Sequence, residues 1–183
     1  MNLPNKLTTA RILLAIPFIF FLENAGNNDV YRYLAFGFFV VAALTDWLDG
    51  YIARKHNLIT DFGKLMDPLA DKILVISAMV IFVYLRWLPS WMSIVVIARE
   101  FLISGIRTLA AAQGEVIPAG NLGKYKTTTQ MIVIIVMLFF GETELKFLGY
   151  PAYESLMLIP VILTIWSGWD YSVKAKHYFL NQN

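Results

Sequence analysis

Asp46-Trp47-Leu48-Asp49-Gly50-Tyr51-Ile52-Ala53-Arg54, and after eight further residues Gly63-Lys64-Leu65-Met66-Asp67-Pro68-Leu69-Ala70-Asp71, is the stretch around which the chain is organised. Four carboxylates stand beside long apolar runs, where an isolated charge is expensive and usually marks function. On a helix Asp46, Asp49, Gly50 and Ala53 fall at i, i+3, i+4 and i+7 and share one face, while Asp67 and Asp71, at i and i+4, share another. Two such pairs facing each other repel unless a cation lies between them. All-oxygen ligation of that kind suits Mg²⁺, Mn²⁺ or Ca²⁺ rather than zinc.

Outward from that stretch, the 183 residues are 58% hydrophobic and only 15% charged, well below the charged share of soluble domains, about 25%. The composition is that of a membrane protein. A net charge of +2 gives no reason to expect nucleic acid, and with no cysteine there is neither a disulfide nor a thiolate ligand. Lys6 and Arg11 ahead of an apolar run imitate a signal peptide, but Glu23 and Asn24 stand where small cleavage-site residues would be, so the segment reads as a retained helix.

The apolar runs predict an all-α architecture: one membrane domain, 1–183, of six transmembrane helices over 6–22, 30–53, 67–85, 91–112, 124–140 and 152–178. Each has a lipid-like half and a polar half, and alternating direction brings the polar halves to one side. Lys6, Arg11, Arg54, Lys55, Lys64, Lys72, Arg99, Arg107, Lys124, Lys126, Lys174 and Lys176 fall on that side, against Arg32, Arg86 and Lys146 on the other. The positive-inside rule makes the rich side cytoplasmic, with both termini inside the cell. Trp87, Trp91, Trp166 and Trp169 fall near the expected interfaces and read as membrane-level anchors. The link 55–62 is too short to cross a bilayer, so the four acids must lie near one another.

Metal held by carboxylates beside basic groups suits a phosphate-containing substrate, whose oxygens the ion neutralises. Gly50 and Gly63 would let a bulky ligand approach the backbone, and Arg54 offers a charge-assisted contact to phosphate. If three acids hold metal, the fourth is available as general base for a hydroxyl; Asp71, deepest along its helix, is the choice.

Together these residues resemble a known family. The spacing Asp-x-x-Asp-Gly-x-x-Ala-Arg, eight residues, Gly-x-x-x-Asp-x-x-x-Asp is met by Asp46, Asp49, Gly50, Ala53, Arg54, Gly63, Asp67 and Asp71, and is similar to the signature of the CDP-alcohol phosphatidyltransferases, integral membrane enzymes of phospholipid synthesis. The resemblance implies that the four aspartates hold two divalent ions, Mg²⁺ or Mn²⁺, on the pyrophosphate of CDP-diacylglycerol. It implies that Gly50, Ala53 and Arg54 face the nucleotide, that Asp71 is the base, and that the chain is a homodimer. The opening Pro4-Asn5-Lys6-Leu7-Thr8-x-x-Arg11 is similar to the family's first helix, so Asn5 and Thr8 are expected near CDP.

Arg99-Glu100-Phe101, Ser104-Gly105-x-Arg107, Gly123-Lys124-x-Lys126-Thr127, Gln130 and Ser167-Gly168-x-Asp170-Tyr171 resemble the branch whose acceptor is glycerol 3-phosphate more than the serine or inositol branches. Independently, Arg107, Lys124 and Lys126 form a candidate cationic site for an acceptor carrying its own phosphate. Charge alone does not separate glycerol 3-phosphate from inositol phosphate. Plainer readings stand beside these: anionic-lipid anchors for the three cations, and a structural ion pair for Arg99 with Glu100. A cation channel or transporter would carry charge through the whole membrane depth; here the outer halves bear only Arg32 and Glu154, at their rims.

Overall fold

The computed structural model describes residues 3–56, 61–112, 114, 120–141, 146–147 and 150–175. Among these are six helices: α1 (Leu3–Glu23), α2 (Asp29–His56), α3 (Asp61–Tyr84), α4 (Ser90–Ala112), α5 (Asn121–Phe140) and α6 (Ala152–Lys174). A two-residue antiparallel ladder, β1 (Lys146–Phe147) with β2 (Tyr150–Pro151), pairs Lys146 with Pro151 and Phe147 with Tyr150 in the α5–α6 connection. The described structure is otherwise helical, as the apolar periodicity requires.

The bounds differ from expectation mainly at the acidic stretch. α2 continues to His56 and α3 begins at Asp61, six residues before the predicted start, so only positions 57–60 separate the two helices. Charged residues there resemble a loop by polarity, yet a helix end accommodates charge beside its unpaired backbone groups. The last stretch of the predicted sixth helix, 176–178, lies outside the described residues.

Contacts divide the chain into two compact units, Met1–Trp87 with Ile134–Glu142, and Leu88–Val133 with Thr143–Asn183. In the first unit α1 packs against both α2 and α3. Its inward stripe is polar at Asn5, Thr8 and Arg11 and apolar at Ala15, Phe18 and Leu22, all buried. Phe18 meets Phe39 of α2 with ring centres 5.5 Å apart. In the second unit α4 packs on α6, with Ile103, Ile106, Ala110, Tyr171 and Ala175 forming a buried cluster.

Outward faces are apolar on every helix: Leu13, Ile16 and Phe20 on α1, Val41 and Leu44 on α2, Val80 on α3, Ile94 and Phe101 on α4, Ile132 on α5, and Ile159, Ile162 and Ile165 on α6 are all exposed. A water-soluble monomer rarely exposes so many large apolar side chains along its helices, whereas a hydrocarbon solvent accepts them. α1 over Asn5–Glu23 and α6 over Ala152–Val173 are long and apolar enough to cross a bilayer. Ser and Thr hydroxyls inside the helices donate to the preceding turn, as Thr45 does to Val41 O at 2.7 Å and Thr164 to Pro160 O at 2.6 Å. Such bonds remove donors that lipid leaves unsatisfied.

Two side chains expected at the rim pack inside the first unit instead. Trp87 is buried against Phe82, ring centres 5.4 Å apart, while Trp91, Trp166 and Trp169 are exposed as membrane anchors should be. Arg32 is buried as well. Its Nε and Nη2 donate to Asp29 Oδ1 at 3.1 and 2.9 Å, and its Nη1 donates to Leu138 O at 3.3 Å and to Phe139 O. The guanidinium thus satisfies carbonyls at the C-terminus of α5, the negative end of that helix dipole. It also borders an open cavity of about 370 Å³ lined by Gly26, Asn28, Asp29, Trp87 and Phe140.

Candidate active site

The helical backbone of α2 carries Asp46, Asp49, Gly50, Ala53 and Arg54, and that of α3 carries Gly63, Asp67 and Asp71. All belong to the first unit. The register of two unbroken helices holds each acid pair on one face, as the i, i+3 and i, i+4 spacings require. Of the acids, the side chain of Asp46 is described; those of Asp49, Asp67 and Asp71, with Ala53 and Arg54, lie outside the described residues, as does the surrounding of Gly50 and Gly63.

Asp46 is held by α1. Arg11 Nη1 lies 2.8 Å from Asp46 Oδ1, the arginine side chain 1% exposed and the carboxylate 38% exposed. A bond of this length between charged groups is strong and directional. Asn5 and Thr8, six and three residues before Arg11 on the same stripe, are buried with it. The polar half of the α1 stripe therefore meets the acid-bearing part of α2. One Asp46 oxygen accepts from arginine while the carboxylate stays partly exposed, and carboxylate oxygen is the ligand type that hard divalent cations take. Among the described residues no three acidic or histidine side chains gather, three of the four aspartates being outside them.

The three cations assigned to the acceptor all lie in the second unit, and they are not equivalent. Lys126 is 2% exposed and donates from Nζ to Glu100 Oε1 at 2.7 Å. The same Glu100 oxygen accepts from Arg99 Nη1 at 3.1 Å, and Arg99 Nη2 donates to Ser167 Oγ at 3.1 Å. Arg99 runs beside two glycines: a Cβ on Gly168 would stand 3.2 Å from its Cγ, and one on Gly123 would stand 3.6 Å from its Nη2. Two cations thus share one Glu100 oxygen. Arg107 is exposed, donates from Nε to Tyr171 Oη at 3.2 Å, and has its guanidinium 5.7 Å from the Tyr171 ring centre. Lys124 is exposed. Arg107 and Lys124 thus present charge outward, whereas Lys126 directs its charge at Glu100.

Sequence spacing did not reveal these pairings. Arg11 and Asp46 are on different helices, Glu100 and Lys126 stand 26 residues apart, and Arg107 and Tyr171 stand 64 apart. The available signal was the rarity of charge inside an apolar helix, which marks Arg11, Arg99 and Glu100 without naming their partners.

An all-helical membrane-type chain with paired aspartates on two successive helices defines a class, and the chain belongs to it: residues 1–166 match the CDP-alcohol phosphatidyltransferase family. Three of its relatives within that family share one name. It is 40% identical over 183 residues to the CDP-diacylglycerol--glycerol-3-phosphate 3-phosphatidyltransferase of Bacillus subtilis, covering 94% of each chain. It is 39% identical to the enzyme of the same name from Rickettsia typhi, over 97% of this chain and 99% of the relative. To that of Salmonella typhimurium it is 35% identical, over 99% and 98%.

Proposed function

We propose that this protein transfers the phosphatidyl group of CDP-diacylglycerol to sn-glycerol 3-phosphate, giving phosphatidylglycerophosphate and CMP in phospholipid biosynthesis. The observation that carries the reading is family membership together with relatives of that activity aligned over nearly the whole chain, at 35–40% identity. The eight signature positions from Asp46 to Asp71 supply the chemistry.

Asp46, Asp49, Asp67 and Asp71 would hold divalent metal, two ions of Mg²⁺ or Mn²⁺, which when bound neutralises the pyrophosphate and the leaving group. Asp71 takes the proton of the glycerol 1-hydroxyl. That oxygen bonds to the β-phosphorus as the bond from this phosphorus to the bridging oxygen breaks, and CMP departs with the electron pair. Asn5, Thr8, Gly50, Ala53, Arg54 and Gly63 bind the nucleotide-linked lipid. Arg107 and Lys124 recognise the acceptor phosphate, and Lys126 contributes through its pairing with Glu100. The acyl chains need no closed pocket where apolar helix faces meet a bilayer.

The chain acts as one family domain, 1–183, with six spans, both termini in the cytoplasm, the site at the inner face of the cell membrane, and a homodimer as its assembly. The test is CMP release by purified protein with CDP-diacylglycerol and Mg²⁺, offered glycerol 3-phosphate, inositol phosphate, serine and phosphatidylglycerol in turn. Turnover is expected with the first alone; preference for another would replace the acceptor assignment. Asp71→Asn is expected to lower turnover by at least about 100-fold while CDP-diacylglycerol still binds, the usual loss on removing a general base. Near-normal turnover would remove Asp71 from that role.

A further inference from the structure

We infer that Arg11 is the built-in countercation of the acidic site, holding Asp46 by one oxygen and supplying positive charge when no divalent ion is bound. The inference rests on the metal-binding reading above. Its own support is the Arg11–Asp46 pair: a side chain 1% exposed, 2.8 Å from one carboxylate oxygen of a residue 38% exposed. A buried arginine carries a large desolvation cost unless it is paired, and the acidic partner accounts for its place on α1. The next residues along the same α1 stripe toward its C-terminus are Ala15, Phe18 and Leu22, which offer no charge. Arg11 is thus the charged member of a stripe otherwise made of buried polar and apolar side chains.

Its position has two consequences. First, aspartates spaced to share two helical faces repel one another in the absence of metal, and a fixed guanidinium against Asp46 offsets part of that repulsion. Second, a carboxylate with one oxygen bound to arginine offers the other oxygen to a cation and does so from a fixed rotamer. Arg11 is accordingly a positioning residue, and removing it withdraws a fixed positive charge from Asp46.

Thermal unfolding of the full chain in detergent, with EDTA and with saturating Mg²⁺, reads this without turnover. For Arg11→Gln the midpoint in EDTA is expected to fall, and the rise on adding Mg²⁺ to exceed the wild-type rise by at least about 3 °C. Arg11→Lys, which keeps the charge but loses the fork, is expected to fall between the two. Phe18→Leu, a packing change on the same stripe, is expected to lower both midpoints equally. An Mg²⁺ rise in Arg11→Gln equal to that of the wild type would overturn the inference. If Arg11→Gln does not accumulate, the comparison of Arg11→Lys with wild type decides in the same way. A wild-type protein that Mg²⁺ neither stabilises nor activates would instead sink the metal reading itself, a distinct outcome.

Discussion

Gly141 directly follows the last residue of α5 with φ +67°, and a Cβ there would stand 2.5 Å from Arg32 Nε and 2.7 Å from Cζ. The backbone conformation and the guanidinium's approach both exclude a side chain, for separate reasons. The left-handed conformation costs an L-residue about 1–2 kcal/mol, and Arg32, buried and bonded to Asp29 and to two α5 carbonyls, has little room to yield. Gly141→Ala is therefore expected to lose about 2 kcal/mol or more, seen as a fall of roughly 4–8 °C in the unfolding midpoint. Gly37, inside α2 with nothing within 4 Å of a built Cβ, should respond with the opposite sign. Gly37→Ala is expected to raise the midpoint slightly, by about 1 kcal/mol at most, because alanine lowers the entropy of the unfolded chain. Equal effects at the two glycines would contradict the contact between Arg32 and the end of α5. In the sequence Arg32 reads as a rim charge, since its carbonyl partners lie 106 and 107 residues away and no local pattern points to them.

At the scale of elements, Glu100 joins α4 to the first turns of α5 through Lys126, and Arg99 beside it joins α4 to α6 through Ser167. The pair is largely buried, Lys126 at 2% and Glu100 at 19% exposure, so its value lies less in attraction than in what either partner becomes alone. Glu100→Gln leaves Lys126 and Arg99 without their shared carboxylate and is expected to cost about 3 kcal/mol. Lys126→Met alone leaves Glu100 with Arg99 and should cost less. The double variant should recover much of the loss of Glu100→Gln, and a double-mutant cycle on the unfolding midpoint measures the difference. Strict additivity would mean that the two side chains do not act on each other. The helices themselves were legible in the sequence, because apolar runs bounded by Gly26-Asn27-Asn28, Pro89, Gly114 and Pro151 admit few alternatives. The start of α3 was not, since the polar run ahead of Asp67 carries no apolar period, yet 61–66 is helix. Of the candidate site, the aspartate spacing was legible because helical period is local. The partners Arg11, Glu100 and Tyr171 were not, because tertiary pairing has no period.

For the molecule as a whole, the proposed six-span topology would place twelve Lys and Arg on one side and three on the other, and the positive-inside rule then gives the expected orientation. Asp29 and Arg32 do not weaken it, since they neutralise each other at 2.9 Å and leave little free charge at the start of α2. Setting aside Arg11, held by Asp46, and Arg99, held by Glu100, still leaves ten against three in the sequence. With no cysteine in the chain, single cysteines can be introduced without first removing native ones. Asn27, exposed in the α1–α2 turn, and Gly120, exposed just before α5, are separated by an odd number of helices, α2, α3 and α4, and must lie on opposite faces if each of those helices spans. Asn27→Cys is expected to react with a membrane-impermeant maleimide in intact cells, and Gly120→Cys only after permeabilisation. Labelling of both from outside would show that one of the three intervening helices does not cross. Labelling of Gly120→Cys alone would invert the protein, placing Asp46 and its neighbours on the face away from cytoplasmic nucleotide, where the proposed donor could not reach them.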